Sequence, residues 1–398
     1  MNNETRKETQ VLPKDVRYVG ADDLTLPLFE NQYPVQPMGV SYNSYLILDE
    51  KVAVMDSVDA RAADEWLAKL AHELDGRSPD YLVISHMEPD HSGSILRLAE
   101  KYQEMKLVGN TKTFTMLRQF FGAKAPTDDR LLEVGEGETL PLGAHTLHFM
   151  LAPMVHWPEV MVAYEETEKL LFSADAFGRF GSLGRTANAP WAPQARRYYY
   201  NIVGKYGAQV QALLKKASAL EIKTVCPLHG PVLTGEALGE ALRLYDLWSR
   251  WQSESPDDIL LAHASIHGNT ARAAELLKQK LEAKGARVTL CDLTTTEVSY
   301  AVANAFYCGK LVLACSTYDG GLFPPMEEFL SHLQAKGFRD RSVGLMENGS
   351  WAPAAARLMR AKLEEMKDLR VCGTVVSLRS ALSPASEAQM DALTTELC

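Results

Sequence analysis

The sequence predicts an α/β protein of two domains, the second a doubly wound parallel sheet of five strands, and three observations carry that prediction. The chain has 398 residues, more than one ordinary hydrophobic core accommodates. Its patterning changes near residue 255, from irregular mixtures of strand-like and helical runs to a regular alternation of the two. Between these regimes lies the polar stretch Ser-Glu-Ser-Pro-Asp-Asp at 253–258, which reads as a linker. The expected division is therefore 1–252, a linker at 253–258, and 259–398.

Element by element, the runs 39–47 and 52–56, joined by Asp49-Glu50-Lys51, read as an antiparallel pair. Further strands are expected at 81–85, 146–152, 160–164 and 170–173, and an amphipathic helix at 236–251 closes this half. After the linker, apolar strands at 259–264, 288–293, 310–315, 342–346 and 371–378 alternate with helical stretches. That rhythm is the signature of a parallel sheet wound on both faces.

Composition narrows the function. A net charge of -10 without any Lys/Arg cluster speaks against nucleic-acid binding. Cys226, Cys291, Cys308, Cys315, Cys372 and Cys398 are scattered, and no two form C-x-x-C. This argues against a disulfide framework, a zinc ribbon or a thioredoxin-type site, and fits a reducing compartment. The first fifteen residues lack the apolar core of a signal peptide, and no run is long enough to span a bilayer. A cytoplasmic protein, without a membrane partner, is expected.

The densest chemical signal is His86-Met-Glu88-Pro-Asp90-His91, directly after the apolar run ending at Ser85. Four potential metal ligands within six residues need a loop, because regular periodicity would turn some of them away from a shared point. Three more stand at expected strand ends: His156, Asp175 and His229. Four imidazoles and three carboxylates are too many for one tetrahedral ion, but suit two ions sharing a bridging carboxylate. With no thiolate in the set, iron, manganese or zinc fits better than copper(I) or an iron–sulfur cluster. Isolated histidines such as His72, His145, His148 and His332 read as surface or core-edge residues.

A second constellation opens the C-terminal half. Ser265-Ile-His267-Gly268-Asn269-Thr270 connects the first strand to a helix, so backbone N–H groups, hydroxyls and the helix dipole converge on one anion. The turn has neither a Walker Lys nor G-x-G-x-x-G, which disfavours nucleoside triphosphates and NAD and leaves a phosphate monoester such as that of FMN. Strand three runs into Ser316-Thr317-Tyr318-Asp319-Gly320, and strand four into Glu347-Asn348-Gly349-Ser350-Trp351. Ligands of open α/β sheets sit beyond the strands' carboxyl ends, where Tyr318 and Trp351 are placed either to cover a flat ring or to pack the rim.

The H-x-x-x-D-H frame with later His, Asp and His resembles the metallo-β-lactamase superfamily, whose fold is an αββα sandwich. Zinc hydrolases of that superfamily usually carry a His where this chain has Glu88, and an anionic oxygen donor there favours a harder, redox-active ion such as iron. Glu88 makes the pattern similar to the flavodiiron proteins (A-type flavoproteins). Gly39-Val-Ser-Tyr-Asn-Ser-Tyr-Leu-Ile47, His156-Trp-Pro, Ser173-Ala-Asp-Ala-Phe177 and Arg197-Tyr-Tyr-Tyr-Asn-Ile-Val203 extend the resemblance, and the second half resembles flavodoxin.

The resemblance implies a metallo-β-lactamase-like domain followed by a flavodoxin-like one. It implies a first iron on His86, Glu88 and His156, a second on Asp90, His91 and His229, and Asp175 bridging. It implies FMN as electron carrier, dioxygen or nitric oxide as substrate, and a head-to-tail homodimer or dimer of dimers. Within Tyr198–Tyr200, Tyr198 and Tyr199 are candidates for donating a hydrogen bond or proton to substrate, packing being the equal alternative. The chain carries no C-x-x-C of a rubredoxin extension, and the resemblance implies a separate donor such as rubredoxin or a flavin reductase. Rival readings are a zinc-dependent hydrolase fused to a flavodoxin, and an electron carrier whose first domain only docks.

Overall fold

The computed structural model describes residues 12–398; the segment 1–11, most of the stretch expected to lack a signal-peptide core, lies outside the described residues. Packing divides the chain into two units. One comprises the residues through Tyr199 together with Ala208–Asp246, and the other Tyr200–Gly207 together with Leu247–Cys398.

The first unit is built on two six-stranded mixed sheets. One has the order Val16–Tyr18, Tyr45–Leu48, Val52–Met55, Tyr81–Val83, Lys106–Gly109, Leu131–Glu133. The other runs Thr139–Pro141, Thr146–Leu151, Met161–Glu165, Leu170–Phe172, Thr224–Cys226, Leu233–Thr234. Alternation along each strand sends one set of side chains between the sheets. Tyr45, Ile47, Ala53 and Met55 from the first meet Phe149, Met161, Ala163 and Phe172 from the second in one core. The opposite face of the first sheet, with Leu46, Val54, Leu82 and Leu107, is equally buried, as helix-covered faces are. The result is the αββα sandwich.

The expected run 39–47 is two strands, Val40–Tyr42 pairing with Ala21–Asp23 and Tyr45–Leu48 pairing with Val52–Met55. The break is at Asn43 and Ser44. Their side chains leave the ladder to bond the Pro227 and Gly230 carbonyls and the Asp56 carbonyl, respectively.

In the second unit, five strands lie in the order Val288–Asp292, Ser255–Ala264, Cys308–Tyr318, Arg341–Asn348, Leu369–Leu378, all parallel. This 2-1-3-4-5 order is that of flavodoxin-like sheets. Helices Asn269–Ala283 and Pro384–Leu397 bury Ala273, Leu277, Met390 and Leu393 against Leu261, Val312 and Val376. The polar stretch 253–258 is not wholly a linker: the strand begins at Ser255, which pairs with Cys308 before a register shift. Pro256 and Asp257 fall in that irregularity and are exposed, which explains their loop-like composition. Among the described residues no helix is long and apolar enough to cross a membrane.

Candidate metal centre and cofactor pocket

All seven candidate ligands converge at one end of the sandwich. Strand Tyr81–Val83 leads into the loop carrying His86 and Glu88, and Pro89 then starts a short helical turn, Pro89–Ser92, that carries Asp90 and His91. The loop is held from beneath, because the buried Asp56 carboxylate accepts from the N–H of Ser85 at 2.7 Å and of His86 at 3.4 Å. His156, Asp175 and His229 arrive from loops at the same end.

The donor atoms form two groups: His86, Glu88, His156 and Asp175, and Asp90, His91 and His229. In the first, His156 Nε2 lies 3.2 Å from Glu88 Oε2 and 3.1 Å from Asp175 Oδ2, and His86 Nε2 lies 3.3 Å from Glu88 Oε2. In the second, His91 Nε2 is 3.1 Å from His229 Nε2 and 3.3 Å from Asp90 Oδ2. Asp175 divides itself, with Oδ2 toward the first group and Oδ1 3.2 Å from His91 Nε2.

These spacings suit metal ions. Ligand bonds of about 2.0–2.2 Å place neighbouring donors about 3.0–3.4 Å apart. Both oxygens of Asp90 and Oδ1 of Asp175 are buried without a well-formed hydrogen bond, and a cation held between the two groups would satisfy them. The clustered groups also bias one another's ionisation. Burial disfavours charge on His156, yet Asp175 and Glu88 push it up to about 9. Burial likewise opposes the Asp175 carboxylate, but His156, His86 and His91 hold it well below the usual range.

Of the two candidate tyrosines, Tyr198 faces this cluster. Its ring lies 5.5 Å from that of His229, and its buried hydroxyl has no hydrogen-bond partner. Burial, then the charges of Asp175, Asp90 and Glu88, push the phenol far above its ordinary range. Tyr199, the next residue along the chain, packs on Tyr245 at 5.0 Å instead.

Several contributors carry no local sequence signal. Phe29 sets its ring edge-on to His229 at 5.3 Å. Next to it, in the turn between Leu28–Phe29 and Tyr33–Pro34, Glu30 is exposed as a residue. Burial of its carboxyl, then the neighbouring Glu88 charge, push that group up to about 7. Glu159 accepts from His86 Nδ1 at 2.7 Å, and the Ser41 carbonyl from His229 Nδ1 at 2.7 Å. Only contact across the fold reveals these partners.

The second unit carries a cavity of about 570 Å³ at the carboxyl ends of its strands. Ser265, His267, Asn269, Thr270, Ser316, Thr317, Tyr318, Asp319, Gly320, Asn348, Gly349, Ser350 and Trp351 are among its lining residues. Thr270 and Ser316 share a hydroxyl–hydroxyl bond of 2.8 Å, and the Asn348 amide donates to Thr270 and to the Ser380 carbonyl. Hydroxyls and the start of helix Asn269–Ala283 thus surround one anion-sized end. Gly268 adopts φ 88° in the turn without lining the cavity.

Glu347 differs from its expected role. Its carboxylate accepts from the Ala356 N–H and the Ser377 hydroxyl, both at 3.0 Å, so it caps a helix instead of facing the cavity. Ser380, in contrast, lines the cavity from beyond the fifth strand, whose end did not attract attention in the sequence.

An α/β sandwich with two adjacent groups of metal-type ligands, followed by a doubly wound sheet with a hydroxyl-lined cavity, defines a class: a metallo-β-lactamase-type centre paired with a flavodoxin-type domain. Residues 40–230 match the family model described as ODP family beta lactamase. The chain is 27% identical over 362 residues to the rubredoxin-oxygen oxidoreductase of Megalodesulfovibrio gigas, covering 87% of each protein. It is 26% identical over 390 residues to the anaerobic nitric oxide reductase flavorubredoxin of Vibrio vulnificus, covering 95% of this chain and 76% of that one. The crystal structure of the flavodiiron protein from Giardia intestinalis superposes with a TM-score of 0.88 at 25% identity, over 98% of this chain and 95% of that one. Over nearly its whole length the chain is thus similar to flavodiiron proteins.

Proposed function

We propose that this chain is an oxidoreductase that reduces dioxygen to water, nitric oxide to nitrous oxide, or both, at a diiron centre fed through FMN. The observation that carries the proposal is Asp175, whose two oxygens each face a separate group of ligands. In this reading residues 1–252 supply the iron domain and 259–398 the FMN domain. His86, Glu88 and His156 hold one ion, Asp90, His91 and His229 the other, and Asp175 spans both. When bound, two ferrous ions and reduced FMN supply the electrons that either gas requires.

The chain's own part is to position and to protonate. Seven fixed donors keep the ions adjacent, so that both atoms of a small substrate are held together. The Tyr198 hydroxyl, buried and without another partner, is placed to donate to the negative charge that develops there. Phe29 and Phe180, packed around Tyr198, keep bulk water away.

The flavin turn reads as the FMN phosphate seat, with Tyr318 and Trp351 beside the ring. Both aromatics are exposed, Trp351 at 88%, and Ile266 joins them at the same mouth. An apolar rim of this kind supports a head-to-tail dimer in which the flavin of one protomer serves the iron of the other. A separate donor such as rubredoxin or a flavin reductase completes the chain of electrons. The scattered cysteines, with no C-x-x-C among them, fit a reducing, cytoplasmic setting.

The test is anaerobic reduction of the iron- and FMN-loaded protein, followed by separate addition of each gas. Flavin reoxidation should accompany formation of water or nitrous oxide, at two irons per chain. Two zinc ions per chain, with ester hydrolysis and no gas consumption, would replace the proposal by the hydrolase reading.

A further inference from the structure

We infer that the two metal positions are chemically unequal and that Glu159 makes them so: the ion on His86, Glu88 and His156 binds first and is the harder of the two to reduce. This rests on the two-metal reading above and concerns the partners behind the ligands.

The ligands themselves are nearly matched. Each group has one carboxylate of its own, Glu88 or Asp90, plus two imidazoles, and Asp175 gives one oxygen to each side. Behind the imidazoles the two sides part company. His86 Nδ1 meets the Glu159 carboxylate at 2.7 Å, with both side chains fully buried. His229 Nδ1 meets only a neutral carbonyl, that of Ser41, and the buried His91 Nδ1 has no partner. The Glu159 charge is also little diluted: Oε1 takes a second bond from the Met87 N–H at 2.9 Å, and Oε2 has none.

The residue is held from its other end as well. The Asn110 side chain donates to the Glu159 carbonyl at 2.6 Å while its oxygen caps the helix Thr111–Phe121. Glu159 is therefore a positioning residue on a rigid mount. By taking the Nδ1 proton it leaves the His86 Nε2 lone pair for metal, and its charge makes that imidazole a stronger donor. A stronger donor favours both occupancy and the higher oxidation state. The second position has no equivalent.

Titration of metal-free protein with ferrous iron under anaerobic conditions tests this, together with Mössbauer spectra at half loading and a redox titration. The expected result is two steps, one iron environment at half loading, and two separate potentials. Glu159→Gln keeps an oxygen that can accept from His86 Nδ1 and the Met87 N–H but removes the charge. It should weaken the first step roughly 10–100-fold, spare the second, and raise one potential only. A purely structural role would leave the potentials unmoved. Uptake of no iron would sink the two-metal reading itself. Two irons taken up by the unaltered protein in indistinguishable steps would leave that reading standing and overturn this inference, as would a Glu159→Gln effect equal on both steps.

Discussion

Tyr198 carries an unpartnered hydroxyl in a buried position beside three carboxylates, a state that costs stability unless the site makes use of it. Tyr198→Phe should therefore keep, or slightly raise, the melting temperature and leave iron content unchanged. Steady-state turnover should fall by roughly 10²-fold, the usual scale for a lost proton donor; unaltered turnover with full iron would remove Tyr198 from the chemistry. The residue scale is also where the sequence was most and least legible. His86, Glu88, Asp90 and His91 stood out because four ligands crowd into one loop. His156, Asp175 and His229 could be named only as strand-end residues supporting that loop. The choice of Tyr198 over Tyr199 depended on which ring lies beside His229, which composition does not reveal. Phe29 and Glu159 were invisible because their meaning lies in what they touch.

At the scale of elements, loops between strands are pinned by single carboxylates. Asp49, in the connection between Tyr45–Leu48 and Val52–Met55, accepts from both the backbone N–H and Nδ1 of His145, at 2.7 and 2.8 Å, tying together hairpins of different sheets. Partial burial pushes the Asp49 carboxyl up, but the His145 bonds outweigh it and hold the group at about 2. A lowered carboxyl stabilises the fold above its unfolded-state value, near 3.9, and that contribution is lost as the pH falls through about 2. Asp49→Asn should accordingly lower the melting temperature at neutral pH, and the gap to the unaltered protein should close as pH falls from about 5 to about 2. A gap independent of pH would contradict the assignment.

Glu347 offers a second test at this scale. As a cap of helix Ala355–Glu364, Glu347→Ala should cost about 1 kcal/mol in denaturant unfolding of the flavin-type unit. FMN affinity should stay almost unchanged, and its collapse would restore Glu347 to the pocket. The sequence placed Glu347 on the right loop but could not say which way it turned. The same limit applies to 39–47, where apolar alternation suggested one strand and Asn43 and Ser44 broke it for the sake of distant carbonyls. Regular strands of the second unit were easier to read, since parallel, doubly covered strands appear as continuous apolar runs.

For the molecule as a whole, the proposed head-to-tail dimer would bring assembly and electron flow together at the exposed Trp351. Trp351→Glu should shift sedimentation toward the monomer and slow flavin-to-iron transfer together, while iron content stays constant. A monomer with full activity would dissociate the two.

The division into units has a consequence for truncation. Residues Tyr200–Gly207 belong to the flavin-type unit although they are encoded well inside the other half, with Tyr200 stacked on Phe306 at 4.0 Å and Lys336 bonded to the Asn201 carbonyl. A cut at the 253–258 seam would therefore release a flavin-type unit that lacks Tyr200–Gly207, one of its own pieces.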